Sequence, residues 1–332
     1  MSLVRRAARL VAAAIASYAV RVLARLRPQR WCPPSITLRL FRLSSAPGTA
    51  IVASDLRAHL PEGGRGVRTD LSYGPGPSDR FDLVLPPGPG PHPLVLWVHG
   101  GGWHFGDKSD VVPYLEHLAV RAGVAGAAVN YPLAPRHPHP VQLDHVRAAL
   151  EHLVAHAEEL GIDPARVVLA GDSAGAQVAA ELAAELTAEP AAVGTGRLCG
   201  AVFFCGIFEP SGLDDSNRMF EAALESAMWS LARTRSWQSG TTCARMTVTD
   251  HVTPAFPPTF LGAGEQDPLT RRQTPPMAQA LRRAGVRVVE HRAGTESEPC
   301  HHQFQFWLGT PAAQEALEAA SGFLREVTSI SH

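Results

Sequence analysis

The stretch Gly171-Asp172-Ser173-Ala174-Gly175 decides the fold class that we predict for this chain. It follows an apolar run, Val167–Ala170, and precedes an alanine- and leucine-rich segment, Ala174–Leu186, of helical character. A G-x-S-x-G between a strand and a helix is typical of a nucleophile elbow, which holds a serine at the tip of a strained turn. The pattern therefore favours Ser173 as a nucleophile.

A second motif, His99-Gly100-Gly101-Gly102-Trp103, ends the apolar strand candidate Leu94–Val98. Successive glycines leave backbone N–H groups unshielded, so such a loop can direct donors at a developing negative charge. An H-G-G-G loop supplies the oxyanion hole beside a nucleophile elbow in lipase and esterase folds. The pairing of the two motifs is more specific than either motif alone.

Two further segments accompany these motifs, Asn130–Pro135 and Gly264–Leu269. Together the four segments make the chain similar to the α/β-hydrolases of the hormone-sensitive-lipase-like esterase group, from roughly Phe81 to the C-terminus. The resemblance implies an α/β fold with a mostly parallel central sheet flanked by helices. It also implies a helical cap, built from the N-terminus and from an insertion.

The alternation of apolar runs with helical patterns predicts the same architecture from the residues themselves. Apolar strands with helices between them indicate a parallel sheet covered on both faces. The predicted strands are Phe81–Leu85, Leu94–Val98, Gly126–Asn130, Val167–Ala170, Gly200–Phe204, Thr259–Gly262 and Val286–His291. The predicted helices are Val111–Ala122, Leu143–Leu160, Ala174–Leu186, Met277–Ala284 and Ala312–Val327.

The alternation of strands and helices stops between residues 208 and 258. A stretch of this length is too long for a simple crossover between two strands of the sheet. We interpret this stretch as an inserted lid. The predicted organisation is a segment over residues 1–65, forming an N-terminal helix, a cap or a membrane-associated element, and a catalytic domain over residues 66–332 that carries the lid.

The N-terminus allows three interpretations. Arg5, Arg6 and Arg9 precede the uncharged run Leu10–Val20, which is too short to cross a bilayer as a helix. The segment can form a cap helix, lie on an anionic membrane surface, or act as a signal peptide. We expect a cytoplasmic protein, with peripheral membrane contact through this arginine-flanked helix as the second option.

The bulk composition excludes several function classes. Basic and acidic residues are balanced at 30 against 31, so charge gives no argument for a nucleic-acid partner. The five cysteines show no C-x-x-C and no zinc-like spacing. We expect no metal and no organic cofactor, and a small-molecule ester as the partner. The sequence leaves the oligomeric state open.

A serine nucleophile needs a general base, and that base needs an orienting carboxylate. The resemblance assigns the acid to Asp267, after the strand Thr259–Gly262, with Glu265 as the main rival and Asp250 as a weaker one. It assigns the base to His302.

The base assignment rests on His302-Gln303-Phe304, which is similar to the group's H-x-F after the last strand. The usual middle residue of that motif is glycine, and this chain has glutamine. The adjacent His301 remains an alternative base.

The remaining site predictions follow from the two glycine-flanked motifs and the lid. The backbone N–H groups of Gly101, Gly102 and Ala174 are expected to form the oxyanion hole. Trp103, Phe208 and Trp229 are candidate substrate-binding residues, and packing of the oxyanion loop or of the lid is the alternative for such aromatic side chains.

These residues predict a serine carboxylic ester hydrolase that works through an acyl-enzyme. An aryl formamidase using the same machinery is one alternative. A non-catalytic ligand-binding protein with a hydrolase fold is another. The second alternative usually loses the histidine, whereas His301 and His302 are both present here.

Overall fold

A computed structural model describes residues 33–62, 66–188, 198–212 and 218–329 of the chain. The arginine-flanked segment at residues 5–27 lies outside these described residues. The strands are β1 (Gly66–Ser72), β2 (Arg80–Leu85), β3 (His92–Val98), β4 (Ala125–Val129), β5 (Ile162–Asp172), β6 (Leu198–Phe204), β7 (Thr259–Gly264) and β8 (Val288–Ala293).

The helices alternate with the strands along most of the chain. They are α1 (Pro34–Ala58), α2 (Val112–Ala122), α3 (Val141–Ala155), α4 (Ala157–Leu160), α5 (Ala174–Ala188), α6 (Arg218–Ala232), α7 (Thr241–Met246), α8 (Thr270–Arg283) and α9 (Pro311–Ser329). Among the described residues, no helix combines the length and the apolar character needed to cross a bilayer.

The eight strands form one sheet in the order β1-β2-β4-β3-β5-β6-β7-β8. β2 pairs antiparallel with β1 and with β4, and all other neighbours are parallel. The predicted α/β fold with a mostly parallel sheet is therefore confirmed. The chain goes from β3 to β4 on one side of the sheet and then to β5 on the other, so the strand order reverses at β3. Ligands bind at such switch points, beside the carboxyl ends of the strands.

The core lies on both faces of this sheet because the central strands are apolar throughout. Leu94, Leu96 and Val98 of β3 pack into one core cluster, and Val95 and Trp97 of the same strand pack into the other. All five side chains are fully buried. This two-sided burial explains why the strands show continuous apolar runs without a polar alternation.

The edge strand β1 is absent from the sequence prediction. Its residues, Gly66 to Ser72, are mostly exposed, so no apolar pattern identifies it. It pairs antiparallel with β2, so β1 and β2 form a hairpin at the edge of the sheet.

A buried ion pair attaches this hairpin to the segment that follows β3. Lys108, the only lysine of the sequence, has a side chain that is 7% exposed. Its Nζ lies 2.8 Å from Asp70 Oδ1 and 2.9 Å from Asp82 Oδ1. Asp82 is buried in β2, whereas Asp70 is exposed. Lys108 therefore supplies the counter-charge for a carboxylate inside the sheet layer.

We expect Lys108→Ala to lower the free energy of unfolding by about 3–5 kcal/mol, because it leaves the Asp82 carboxylate buried and unpaired. Urea unfolding at neutral pH measures this change. Arg282→Ala is the matched control, since its ion pair with Glu290 is exposed, and it should change the stability by about 1 kcal/mol or less. Equal effects of the two variants would contradict the structural role of Lys108.

Candidate active site

Ser173 occupies the tip of the turn between β5 and α5. Its φ is 53°, in the left-handed region, and its N–H donates to the carbonyl of Phe204 at 2.9 Å. Gly175 permits the turn because a Cβ there would collide with the backbone carbonyl oxygens of Val98 and His99. The close packing of α5 on β3 therefore brings the serine beside the H-G-G-G loop, as a nucleophile elbow requires.

His302 connects Ser173 to Asp267. His302 Nε2 lies 2.9 Å from Ser173 Oγ, and His302 Nδ1 lies 2.8 Å from Asp267 Oδ2. A carboxylate only accepts hydrogen bonds, so Nδ1–H donates to Asp267 and leaves Nε2 free to accept from the serine hydroxyl. Asp267 Oδ1 accepts from the N–H of Leu269 at 2.9 Å, which fixes the carboxylate. This arrangement can transfer the serine proton to the imidazole.

The alternative acids and the alternative base lie outside this hydrogen-bonded chain. Glu265 forms an ion pair with Arg292 at 2.7 Å. Asp250 is exposed in a single 3-10 turn between α7 and β7. The side chain of His301 is exposed at the mouth of the cavity, whereas His302 makes the bonds to Ser173 and Asp267.

The charges around His302 favour its protonated form. Burial lowers the pKa of His302, but the charge of Asp267, the hydrogen bond to Asp267 and the charge of Asp172 together raise this pKa above the ordinary histidine value. The same anions stabilise the imidazolium that forms when the ring takes up a proton.

The H-G-G-G loop carries backbone donors beside Ser173. Gly101 and Gly102 have φ values of 111° and 60°, and the next residue, Trp103, is also left-handed at 61°. Gly102 faces open space, since a Cβ there would meet no atom within 4 Å. Within the described part of the chain, the N–H groups of Gly101, Gly102 and Ala174 donate to no protein acceptor. They are therefore available to an anionic oxygen in the cavity.

A buried polar chain that sequence reasoning missed holds this loop from behind. Trp103 Nε1 donates to Gln177 Oε1 at 3.0 Å, and Gln177 Nε2 donates to Glu181 Oε2 at 2.7 Å. His139 Nε2 lies 2.9 Å from Glu181 Oε1. Gln177 and Glu181 follow Ser173 at steps of four residues, which places them on one face of α5. Polar residues repeated every four positions in an alanine-rich helix are a pattern from which this buried polar chain could have been predicted.

His104 connects the same loop to the lid helix α6 and was also missed. Its Nδ1 lies 2.7 Å from the carbonyl oxygen of Gly102, and its Nε2 lies 3.0 Å from Ser230 Oγ. Burial lowers the pKa of His104 to about 4, so the ring is neutral at physiological pH. Because a carbonyl only accepts, Nδ1–H donates to Gly102 and Nε2 accepts from the hydroxyl of Ser230.

A cavity of about 1220 Å³ opens above Ser173. One wall comes from the core cluster that contains Leu38, Ile207 and Leu224, and another comes from the cluster that contains Leu56 and Phe306. Both α1 and α6 contribute to the lining, and these two helices pack against each other. The apolar walls suit an apolar ligand whose reactive group lies at Ser173.

The three aromatic residues expected to bind substrate lie outside the lining of this cavity. Trp103 is buried behind the oxyanion loop and bonded to Gln177. Phe208 packs in the core, with its ring centroid 5.9 Å from that of Phe203. Trp229 packs against the core, and the guanidinium of Arg235 lies 4.4 Å from its ring centroid. The structure thus corrects the expectation, because each ring contributes to packing and the small lid residues Ala223 and Ala227 line the cavity instead.

One group of possible metal ligands occurs among the described residues. The ligand atoms of Cys205, Asp267 and His302 lie within 4.8 Å of one another. Asp267 and His302 are already bonded to each other, and burial raises the pKa of the Cys205 thiol well above its usual value. A protonated thiol is a poor metal ligand, so the donor set fits an acid–base pair better than a metal site.

Comparison with known proteins identifies the fold family of the chain. A family model described as the alpha/beta hydrolase fold matches residues 95–304. Carboxylesterase NlhH of Mycobacterium tuberculosis is 43% identical over 86 residues, which cover 26% of this chain and 27% of that protein. The chain therefore matches only about a quarter of the length of this relative.

Other relatives match over longer stretches. The probable carboxylic ester hydrolase LipM of Mycobacterium tuberculosis is 28% identical over 304 residues, covering 88% of this chain and 69% of LipM. Among solved structures, a bacterial heroin esterase has a TM-score of 0.71 at 25% identity, covering 86% of this chain and 91% of that chain. Esterase LipW from Mycobacterium marinum has a TM-score of 0.69 at 25% identity, covering 87% and 90%.

The matched region begins in β3 and ends just after His302, so it contains the H-G-G-G loop, the elbow and the acid loop. The resemblance that these motifs carry is confirmed by the family match and by the esterase relatives. The chain belongs to the α/β-hydrolase fold family.

Proposed function

We propose that the protein is a serine carboxylic ester hydrolase. The observation that carries this proposal is the hydrogen-bonded chain Ser173–His302–Asp267 beside three backbone N–H groups that donate to no acceptor among the described residues. The names of the relatives, among them carboxylesterase NlhH and the probable carboxylic ester hydrolase LipM, support the same reaction class.

The reaction begins with attack of Ser173 Oγ on the ester carbonyl carbon. His302 Nε2 takes up the hydroxyl proton, and Asp267 holds the tautomer and stabilises the imidazolium. The carbonyl oxygen becomes an oxyanion and accepts hydrogen bonds from the N–H groups of Gly101, Gly102 and Ala174. Removing one such donor typically costs about 2.7–4 kcal/mol of transition-state stabilisation.

The tetrahedral intermediate then breaks down. The C–O bond to the alcohol breaks, His302 returns its proton to the leaving alkoxide, and the acyl group stays on Ser173 as an ester. Water, deprotonated by His302, attacks the acyl carbon. The bond from this carbon to Ser173 Oγ then breaks, and His302 returns its proton to Oγ as the carboxylic acid leaves. Every proton in the cycle passes through the imidazole. The reaction as proposed needs no metal and no organic cofactor.

The size and character of the cavity support a small-molecule ester with a substantial apolar part as the substrate. Typical pockets for small ligands span about 300–1,000 Å³, and this cavity of about 1220 Å³ is larger. Its apolar walls can bury a medium-length acyl chain, and each buried methylene contributes about 0.8 kcal/mol.

Ser173→Ala is expected to lower kcat for a p-nitrophenyl butyrate substrate by about 10⁴-fold or more, because it removes the nucleophile. Steady-state hydrolysis measures this loss. Ser297→Ala, which changes an exposed serine, is the control and should keep the wild-type rate.

Two alternatives are separated by the same assay. Equal rates for the wild type and Ser173→Ala would remove the enzymatic proposal and favour a ligand-binding protein. Turnover confined to an aryl formamide would favour the formamidase.

The rate should fall at low pH, because a protonated His302 cannot accept the serine proton. Since the pKa of His302 is raised above the ordinary value of 6.5, the acidic limb of the kcat/KM profile should have its midpoint above that value. Asp267→Asn removes a charge that raises this pKa, so the limb should move to lower pH while kcat falls by about 10⁴-fold. A limb that stays in place in this variant would argue against His302 as its origin.

Ala227→Phe should shorten the preferred acyl chain, because Ala227 lines the lid side of the cavity and its methyl group is buried there. We expect kcat/KM for a p-nitrophenyl decanoate to fall by about tenfold relative to that for the butyrate. Ala148→Phe, on the exposed face of α3, should leave the chain-length profile unchanged. An identical profile in all three proteins would show that the acyl chain binds elsewhere.

A further inference from the structure

Gln303, the residue directly after His302, has a backbone conformation that glycine adopts more easily. Its φ is 59° and its ψ is 33°, in the left-handed region. A residue with a side chain pays a conformational energy cost in this region, and a favourable interaction of the side chain can offset that cost. His302-Gln303-Phe304 is similar to an H-x-F motif that usually has glycine at its middle position. The presence of glutamine at position 303 therefore needs a physical explanation.

The side chain of Gln303 reaches the nucleophile elbow. Its Nε2 donates a hydrogen bond to Asp172 Oδ2, next to Ser173 in the chain. The other oxygen of that carboxyl, Oδ1, accepts from Trp97 Nε1 of β3 at 2.9 Å. Asp172 is 1% exposed. The carboxyl therefore joins three segments: the strand β3, the elbow and the loop of the base.

Both hydrogen bonds are needed by Asp172. A buried carboxyl oxygen without a donor loses its hydration and gains nothing in return. Burial raises the pKa of Asp172, whereas the hydrogen bonds from Trp97 and Gln303 act in the opposite direction by favouring the ionised form. Gly100 leaves room for this contact, because a Cβ there would collide with the Asp172 carboxyl and lie 2.9 Å from Gln303 Nε2.

The loop that carries His302 is held by hydrogen bonds on two sides. Residues 294–303, between β8 and the 3-10 turn Phe304–Phe306, form no helix or strand. Gln266, which precedes Asp267 in the chain, holds one side of this loop: its Oε1 accepts a hydrogen bond from the N–H of Cys300 at 2.8 Å. Gln303 holds it on the side of the serine.

We propose that Gln303 is a positioning residue, which clamps the loop of His302 to the nucleophile elbow through Asp172 and so keeps the imidazole in line with Ser173. This inference rests on the proposed esterase function for its kinetic consequence. Reacting groups lose much of their rate when they are displaced by about 1 Å, up to about 10²-fold. Gln303 does not itself touch the reacting atoms in this role.

Two single variants and one double variant test the clamp. Gln303→Gly removes the amide and leaves one oxygen of the buried Asp172 carboxyl without its donor, but it also relieves the left-handed backbone, which offsets part of that loss of stability. Gln303→Glu keeps the shape but places a carboxylate against Asp172. In Asp172→Asn/Gln303→Glu the pair is exchanged: the new amide at position 172 accepts from Trp97 through its oxygen and donates through its nitrogen to the new carboxylate at position 303.

We expect Gln303→Gly and Gln303→Glu to lower kcat for a p-nitrophenyl butyrate substrate by about tenfold or more, while KM stays within about twofold. The exchanged pair should recover most of the rate that Gln303→Glu loses. A general structural role would not produce this rescue. Wild-type kcat in Gln303→Gly, or a double variant no faster than Gln303→Glu, would overturn the proposal.

Hydrogen exchange of the backbone amides at residues 300–306 gives a readout that is independent of turnover. Exchange should be faster in Gln303→Gly and should return to the wild-type rate in the exchanged pair. If the wild type shows no turnover that depends on Ser173, the esterase function fails while this exchange pattern still decides the clamp. Unchanged exchange in Gln303→Gly would overturn the clamp whatever the activity.

Discussion

The hydrogen bond between Ser173 Oγ and His302 Nε2 joins residues that are 129 positions apart in the chain. A serine hydroxyl is a weak nucleophile at neutral pH, so the proposed chemistry depends on this contact. The parallel sheet makes this contact possible because the carboxyl ends of β5 and β7 lie at the same end of the sheet, with only β6 between them. Ser173 follows β5, and Asp267, which orients His302, follows β7. Much of the fold serves to bring these two strand ends together.

The contact is held in place by buried polar groups. Asp267 fixes His302 through Nδ1, and Asp172 ties the elbow to Trp97 and to Gln303. The donors of the oxyanion loop are held from the other side, by Trp103 against Gln177 and by His104 against Ser230. Such bonds are strong inside a protein because water does not compete for them. The candidate site is therefore organised before a substrate arrives, as the proposed electrostatic catalysis requires.

The sequence motifs contain the three residues that are joined by hydrogen bonds in the structure, Ser173, His302 and Asp267. Such residues can be found from a sequence because their chemistry depends on local motifs. The glycines of the elbow and of the oxyanion loop are required by close backbone contacts, so they leave a readable pattern. The buried strands leave continuous apolar runs, whereas the exposed edge strand β1 leaves none. The start of α8 was placed late, because Pro275 and Pro276 lie within its first two turns.

The substrate-binding residues could not be predicted in the same way. Trp229 and Phe208 belong to the lid region and its border, but whether an aromatic ring faces the cavity or the core depends on how α6 packs. The lid side of the lining includes small residues such as Ala223 and Ala227, which carry no signal in the sequence. Gln303 stood out only as a departure from a motif, and its contact with Asp172 requires the tertiary structure.

A crystal structure after reaction with a p-nitrophenyl alkylphosphonate tests the central contact most directly. We expect the phosphorus to be bonded to Ser173 Oγ, with its phosphoryl oxygen about 2.7–3.1 Å from the backbone nitrogens of the oxyanion loop and of Ala174. His302 should stay within hydrogen-bond distance of the adduct. An adduct on another residue, or a phosphoryl oxygen directed away from these nitrogens, would contradict the proposed mechanism.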